Sequence, residues 1–124
     1  MDANSLKVSS DLPERCFFFS IKVIKLLKPL NFFGLFQSLI TQFLKAATSV
    51  GANITESKFS VSRKEFCRYY EIALKSGNEA KYWLRLLIQT HDDINKKTAD
   101  NILSELTELT AIIAASIKTM RKKK

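Results

Sequence analysis

Turn-forming residues are scarce in this chain, which has 3 Gly and 2 Pro among 124 residues. Because Gly and Pro are the strongest breaks in regular structure, few turns are available between long elements. Apolar residues, 46% of the chain, recur at spacings of three and four, which is typical of helices with one buried face. The sequence therefore predicts an all-α protein of one domain.

Four segments show this helical spacing. They cover approximately residues 11–28, 35–56, 62–89 and 98–120. Because the connections between them are short, we expect consecutive segments to pack side by side in an antiparallel, up-down-up-down four-helix bundle. We expect this bundle to occupy residues 11–120, between a flexible N-terminus (1–10) and a basic C-terminal tail (121–124).

Local signals mark where two of the helices begin. Ser62 and Glu65 have the spacing of a capping box, in which two side chains satisfy free backbone donors at a helix start. Val61 and Phe66 have the spacing of the hydrophobic staple that often accompanies such a box. Thr98 is the expected N-cap of the fourth helix.

The first helix carries more apolar residues than one buried face requires. Its basic residues gather on one side, but apolar residues cover most of the remaining circumference. A surplus of this kind favours contacts between subunits, so we expect a homo-oligomer. The candidate contact residues on the first and third helices are Phe17, Ile21, Ile24, Tyr82 and Trp83.

The second helix combines small side chains with a polar stripe. Gly51 lies in mid-helix, where glycine costs about 1 kcal/mol relative to alanine, and this cost indicates close approach by another helix. Gly77 indicates the same for the third helix. The stripe consists of Lys45, Ser49, Asn53 and Glu56, which share one side of the helix. It is either a solvated face or an inter-helix hydrogen-bond network, and the small neighbours favour the network.

The sequence contains no pattern typical of a catalytic site. We interpret the single histidine, His91, as a solvated loop residue or a charge partner at the helix end, beside Asp92 and Asp93, with a metal site at these three side chains as the alternative. Cys16 and Cys67 lack the spacing of a zinc or redox site and are interpreted as small core residues. We therefore expect a non-enzymatic protein with no cofactor, metal or small-molecule substrate.

Charge and hydropathy bear on location and partners. The longest uncharged run, residues 29–44, is too short to span a membrane, and the N-terminal residues lack a secretory pattern, so we expect a cytoplasmic protein with no membrane partner. The net charge of +8 favours contact with phosphates. The candidate nucleic-acid contacts are Lys22, Lys25, Lys28, Arg121, Lys122, Lys123 and Lys124.

Residues 45–56 (KAATSVGANITE) resemble a motif of the four-helix-bundle proteins encoded in intervening sequences of bacterial 23S ribosomal RNA genes. Further similar segments, at Tyr82-Trp83-Leu84 and at residues 115–119, extend the resemblance over nearly the whole chain from about residue 15. The resemblance implies a left-handed bundle that assembles as a ring-like homopentamer. Accessory relatives in diversity-generating retroelements bind nucleic acid and a reverse transcriptase, which implies RNA or DNA and such an enzyme, or another protein, as partners.

Two functions follow as hypotheses. One is a homo-oligomer that associates with RNA or DNA, because several copies of a basic subunit would present many cations to phosphates. The alternative is a protein-interaction scaffold that binds no nucleic acid.

Overall fold

The structure, a computed structural model, describes residues 11–122. Within this range it contains four helices and no strand: α1 (Leu12–Leu27), α2 (Leu35–Ser57), α3 (Arg63–Thr90) and α4 (Lys96–Lys122). The predicted all-α class and the number of helices are confirmed. The expected flexible N-terminus lies outside the described residues, as do Lys123 and Lys124.

Side-chain caps fix the starts of α1 and α3. Asp11 Oδ1 accepts a hydrogen bond from Glu14 N at 3.4 Å, and Ser62 Oγ accepts one from Glu65 N at 3.0 Å. The Glu65 carboxylate accepts from Val61 N at 2.9 Å, one residue before the position expected for a capping box. The predicted staple is wrong, because Val61 is 94% exposed and leaves nothing for Phe66 to pack against there.

The start of α4 differs from the prediction. The cap is Asn95, whose Oδ1 accepts from Thr98 N at 2.9 Å, and the helix begins at Lys96. Asparagine is among the strongest N-caps, and here its side chain reaches the amide three residues ahead. At its other end α4 continues through Lys122, so that Arg121 and Lys122 belong to the helix.

The four helices enclose one apolar core. α1 and α3 each pack closely against both α2 and α4. Within residues 11–122 the backbones of α1 and α3, and those of α2 and α4, do not approach each other in this way, which is consistent with a bundle of square cross-section. Each helix contributes fully buried side chains. Examples in chain order are Phe19, Phe43, Leu84 and Leu106.

Both mid-helix glycines lie at close helix crossings, as predicted. A Cβ at Gly51 would lie 3.1 Å from Cys16 Cβ, and a Cβ at Gly77 would lie 2.5 Å from Thr110 Cγ2. The missing side chains let α2 approach α1 and α3 approach α4.

None of the helices in residues 11–122 combines the length and the apolar character that a membrane crossing requires.

Candidate functional site

The connections α1–α2 and α3–α4 lie side by side at one end of the bundle. Phe36, in the first turn of α2, packs on His91, with ring centroids 4.4 Å apart. Lys22 and Lys25 of α1 line a shallow groove together with Asp93 of the α3–α4 connection. We call this end, formed by residues 28–34 and 91–95 with the adjoining helix ends, the basic end.

Exposed lysines dominate the charge of the basic end. Lys22 and Lys25 are exposed on the last turns of α1, and Lys28 is exposed directly after it, as residues that contact phosphates must be. Lys96 and Lys97 are exposed in the first turn of α4 and had not been singled out from the sequence. They become relevant only because the fold brings the start of α4 next to the end of α1.

The α1–α2 connection has a defined shape. Asn31 Oδ1 accepts a hydrogen bond from Phe33 N at 2.9 Å, and Gly34 has a φ of 65°, a conformation that side chains disfavour. Phe32 and Phe33 on this connection are 45% and 80% exposed, and Leu35 at the start of α2 is exposed as well. The connection therefore presents apolar side chains to solvent beside the lysines.

The interpretation of His91 as a solvated loop residue is wrong. His91 is only 4% exposed, because Phe36 covers its ring, and its Nδ1 accepts a hydrogen bond from Asp93 N at 3.2 Å. Its buried Nε2 has no hydrogen-bond partner among the described residues. No local pattern around His91 indicates this burial, because the covering ring comes from another helix.

The C-terminal basic residues were also candidate phosphate contacts, and one of them forms an ion pair within the bundle. Arg121 forms an ion pair with Glu71 of α3; the arginine side chain is largely exposed and that of the glutamate is half-buried. Lys122 is exposed at the last described turn of α4. Lys123 and Lys124 lie outside the described residues. The three lysines of α1 are therefore the larger cluster of predicted phosphate contacts that the structure describes.

The polar stripe of α2 divides into two parts. Asn53 Nδ2 donates to the backbone oxygen of Ser49 at 2.9 Å and to its Oγ at 3.0 Å, and Ser49 Oγ lies 2.9 Å from Ser76 Oγ of α3. These three half-buried residues form a hydrogen-bond network between two helices. Lys45 and Glu56 are exposed and have no side-chain hydrogen bond in the described part of the chain.

An ion-pair cluster joins α1 to α4. Arg15 Nε and Nη2 donate to the Glu105 carboxylate at 3.3 and 3.1 Å, and Nη2 also lies 3.1 Å from Glu108 Oε1. Burial acts against the charged guanidinium, but the hydrogen bonds and charges of both glutamates outweigh it and raise the pKa of Arg15. Sequence analysis missed this pairing because the partners are 90 residues apart.

The cysteines have different surroundings. Cys16 is fully buried, which raises the pKa of its thiol to about 11, so it remains protonated near neutral pH. Cys67 is half-buried, and its Sγ lies 3.8 Å from Glu71 Oε2. Among residues 11–122, no three or more His, Cys, Asp or Glu side chains converge as a metal site would require.

The candidate subunit contacts include strongly exposed side chains. Phe17, Ile24 and Tyr82 are 62%, 50% and 56% exposed, whereas Ile21 and Trp83 are half-buried. Trp83 Nε1 donates to Glu79 Oε2 at 3.1 Å. Phe17 and Ile24 are seven residues apart on α1 and so lie on the same face of that helix.

Comparison with known proteins links the chain to one family. The sequence model of the 23S rRNA-intervening sequence protein family matches residues 10–115 of this chain. The crystal structure of a protein of unknown function from the S23 ribosomal protein family of Bacteroides thetaiotaomicron is similar, with 33% sequence identity and a TM-score of 0.74. The alignment covers 86% of this chain and 98% of that one. No significant match to a protein of curated function was found.

Proposed function

This chain belongs to the 23S rRNA-intervening sequence protein family, and on that premise we propose that it is a non-enzymatic homo-oligomer that associates with RNA or DNA. The observation that carries the proposal is the exposed row Lys22, Lys25 and Lys28 at the C-terminal end of α1. A row of this kind, repeated in each subunit, supplies the cations that neutralise backbone phosphates.

We propose an antiparallel, up-down-up-down order for the bundle. Ser49 of α2 pairs with Ser76 of α3, whereas Phe36, earlier in α2, contacts His91, which follows α3. Residue numbers thus rise along one helix while they fall along its neighbour. The contacts of α4 with α1 and with α3 follow the same opposite trend. The left-handed twist is proposed from the family resemblance.

Assembly into a ring-like pentamer is proposed on two grounds. The exposed apolar side chains Phe17 and Ile24 share one face of α1, and Tyr82 is exposed on α3. Burial of such side chains against another subunit is favourable, at roughly 25 cal/mol for each Å² of apolar surface removed from water. The family resemblance supplies the number five.

The absence of catalysis is part of the proposal and rests on the state of the reactive groups. The Cys16 thiol is buried with a raised pKa, so little thiolate is available as a nucleophile near neutral pH. The His91 ring is buried beneath Phe36, and its Nδ1 is occupied by the amide of Asp93. Neither group is placed to exchange protons with a substrate in solvent.

A reverse transcriptase or another protein is proposed as a further partner from the family resemblance alone. The second candidate function is a scaffold that binds only proteins. It is favoured by the exposed apolar side chains, since surfaces of this kind are typical of protein interaction sites.

Salt-dependent binding tests the nucleic-acid proposal. Fluorescence anisotropy with labelled RNA and DNA should give an affinity that falls steeply with salt. The variant Lys22→Gln/Lys25→Gln/Lys28→Gln should flatten the slope of log affinity against log salt by up to about 0.9 for each duplex phosphate contact that it removes.

A charge-matched control is available on the same protein. Lys58→Gln/Lys64→Gln/Lys118→Gln removes three exposed cations that lie away from the basic end, and should leave most of the slope intact. Equal effects of the two triple variants would assign the binding to net charge rather than to α1. A wild-type protein that binds neither RNA nor DNA at low salt would leave the protein scaffold as the function.

A further inference from the structure

We propose that the α1–α2 connection is a stacking platform for unpaired bases, so that the protein prefers single-stranded RNA or DNA to a duplex. The inference rests on the proposed nucleic-acid association and specifies its substrate class. It is carried by Phe32 and Phe33, two exposed rings on the connection that begins at Lys28 and lies beyond the end of α1.

The rings are presented by a backbone of defined shape. The hydrogen bond from Phe33 N to Asn31 Oδ1 and the left-handed conformation of Gly34 shape the connection on both sides of the rings. Phe36, which follows, anchors the start of α2 on His91. An aromatic side chain on a fixed backbone loses little further freedom when a base stacks on it, which favours binding.

Exposed cations lie on the two helices that adjoin this end of the bundle. Lys22, Lys25 and Lys28 lie at the end of α1, and Lys96 and Lys97 at the start of α4. Lys22 and Lys25 share a groove with Pro29 and Leu30 of the connection that carries the rings. The α4 lysines stand at the positive end of the helix dipole, where cations are unfavourable for the helix itself. Their position is therefore better explained by attraction to a polyanion than by helix stability. The acidic side chains of this end are Asp92, Asp93 and, one turn into α4, Asp100.

The combination of features points to single strands. In a duplex the bases are stacked on each other and their faces are hidden, so exposed rings gain nothing from them. In a single strand every base offers a free face, and binding sites for such strands combine aromatic side chains with a basic groove that follows the phosphates. Phe33, with 80% of its surface exposed, has room for a base.

An anionic membrane or a second copy of the chain would use the same apolar surface differently. Either would require an apolar side chain at Phe33 but not an aromatic ring. Leucine keeps the apolar character and removes the ring, whereas tyrosine keeps the ring. Phe33→Leu and Phe33→Tyr therefore separate base stacking from the other two contacts.

The experiment compares the full-length protein and its variants on a labelled single strand of about 16 nucleotides and on the corresponding duplex, by fluorescence anisotropy at low salt. We expect the wild type to bind the single strand more tightly. Phe33→Leu should weaken single-strand binding by about fivefold or more, as loss of one stacked base implies, with little effect on the duplex. Phe33→Tyr should retain most of the single-strand affinity.

Phe59→Leu is the matched control, because Phe59 is 75% exposed on the α2–α3 connection, away from these lysines. It should bind like the wild type. Circular dichroism and light scattering on each variant test that fold and mass are unchanged. Equal affinity for single strand and duplex, or equal effects of Phe33→Leu and Phe59→Leu, would overturn the stacking platform while leaving the proposed association intact.

Three further outcomes also count against the platform. If the wild type binds no nucleic acid, both this inference and the proposed function fail. Binding to vesicles of phosphatidylglycerol that Phe33→Leu preserves, without a preference for single strands, would assign the surface to a membrane. A change of oligomeric mass in Phe33→Leu would assign it to a second copy of the chain.

Discussion

Gly77 of α3 lies so close to Thr110 of α4 that a Cβ on the glycine would stand 2.5 Å from Thr110 Cγ2. Thr110 is buried, and its Oγ1 donates to the backbone oxygens of Leu106 and Thr107, both at 3.0 Å, which holds its methyl group in place. The approach of the two helices therefore depends on the absence of a side chain at Gly77.

Replacement of this glycine should destabilise the bundle. Gly77→Ala gains about 1 kcal/mol of helix propensity but forces α3 away from α4, and overpacking of a core typically costs about 1 to 3 kcal/mol. We expect a net loss of stability in urea denaturation. Thr110→Ser removes the clashing methyl group and keeps the hydroxyl, so Gly77→Ala/Thr110→Ser should recover much of the loss. Full stability of the single variant would show that the crossing has room for a side chain.

The pair Arg15 and Glu105 should be energetically coupled. Both side chains are mostly buried, at 15% and 22% exposure, and the guanidinium donates two hydrogen bonds to the carboxylate. A double-mutant cycle with Arg15→Met and Glu105→Gln should give a coupling energy of about 1 to 2 kcal/mol. The same cycle with Glu108→Gln serves as the control and should give less, because Glu108 is 62% exposed. Equal coupling in both cycles would contradict this assignment.

The polar stripe of α2 should be important for stability at only two of its positions. Ser49 and Asn53 belong to the network that reaches Ser76, so Asn53→Ala should cost about 1 kcal/mol. Glu56→Ala should change stability by less than about 0.5 kcal/mol, since the side chain is exposed. Thermal melts of the two variants compare their stabilities. A larger loss for Glu56→Ala than for Asn53→Ala would contradict the prediction and would indicate that Glu56 contacts another subunit.

Stability should fall in alkaline solution because of Cys16. Burial raises the pKa of this thiol from an ordinary value of 9.0 to about 11. Between these values the unfolded thiol loses its proton while the folded one keeps it, so ionisation favours the unfolded state. The contribution is fully present below pH 9 and should be lost between about pH 9 and 11, by about 2 to 3 kcal/mol.

Cys16→Ala isolates this effect, because other groups also titrate in alkali. Burial also raises the pKa of Tyr70 above its ordinary value of 10.0, which adds to the loss of stability above about pH 10. The variant should be less stable than the wild type at neutral pH, since it loses a buried side chain, but its stability should fall less steeply between pH 9 and 11. Parallel pH profiles for the two proteins would argue against the buried thiol as the cause.

Charges on the apolar face of α1 should disrupt assembly. Phe17→Glu/Ile24→Glu places two carboxylates on this face, where burial against another subunit would be costly. Light scattering after size exclusion should show an oligomer, five subunits by our proposal, for the wild type and a smaller species for the variant. Thr107→Glu/Ala114→Glu has the same spacing on exposed positions of α4 and should retain the wild-type mass. A monomeric wild-type protein would contradict the proposed oligomer directly.

Sequence reasoning succeeded where the cause is local or periodic. The capping serine of α3 and the close crossings at Gly51 and Gly77 were predicted, because a cap acts within one turn and a mid-helix glycine is costly unless space requires it. The four helices followed from apolar spacing. The start of α4 was predicted wrongly at Thr98, because the helix is capped three residues earlier by Asn95, a residue of equally high capping preference.

The failures concern contacts between distant segments. Burial of His91 depends on Phe36, and the charge pairing of Arg15 depends on Glu105; neither partner is adjacent in sequence. At the basic end, Lys22 and Lys25 were predicted as phosphate contacts, but Lys96 was not, because only the fold brings α4 to α1. A sequence pattern shows which residues share a face of one helix, but it does not show which other helix will lie beside that face.

The ion pair between Arg15 and Glu105 also bears on how the chain is made. α1 emerges from the ribosome first, and Glu105 of α4 is synthesised 90 residues after Arg15, which takes roughly 5 to 20 s at ordinary rates of synthesis. During this interval α2 and α3 can already dock on each other, while the side of α1 that will meet α4 has no cover. Neighbouring nascent chains on one polysome therefore expose the same apolar helix at the same time. At this stage α1 of one chain can associate with α1 of another before either bundle is complete.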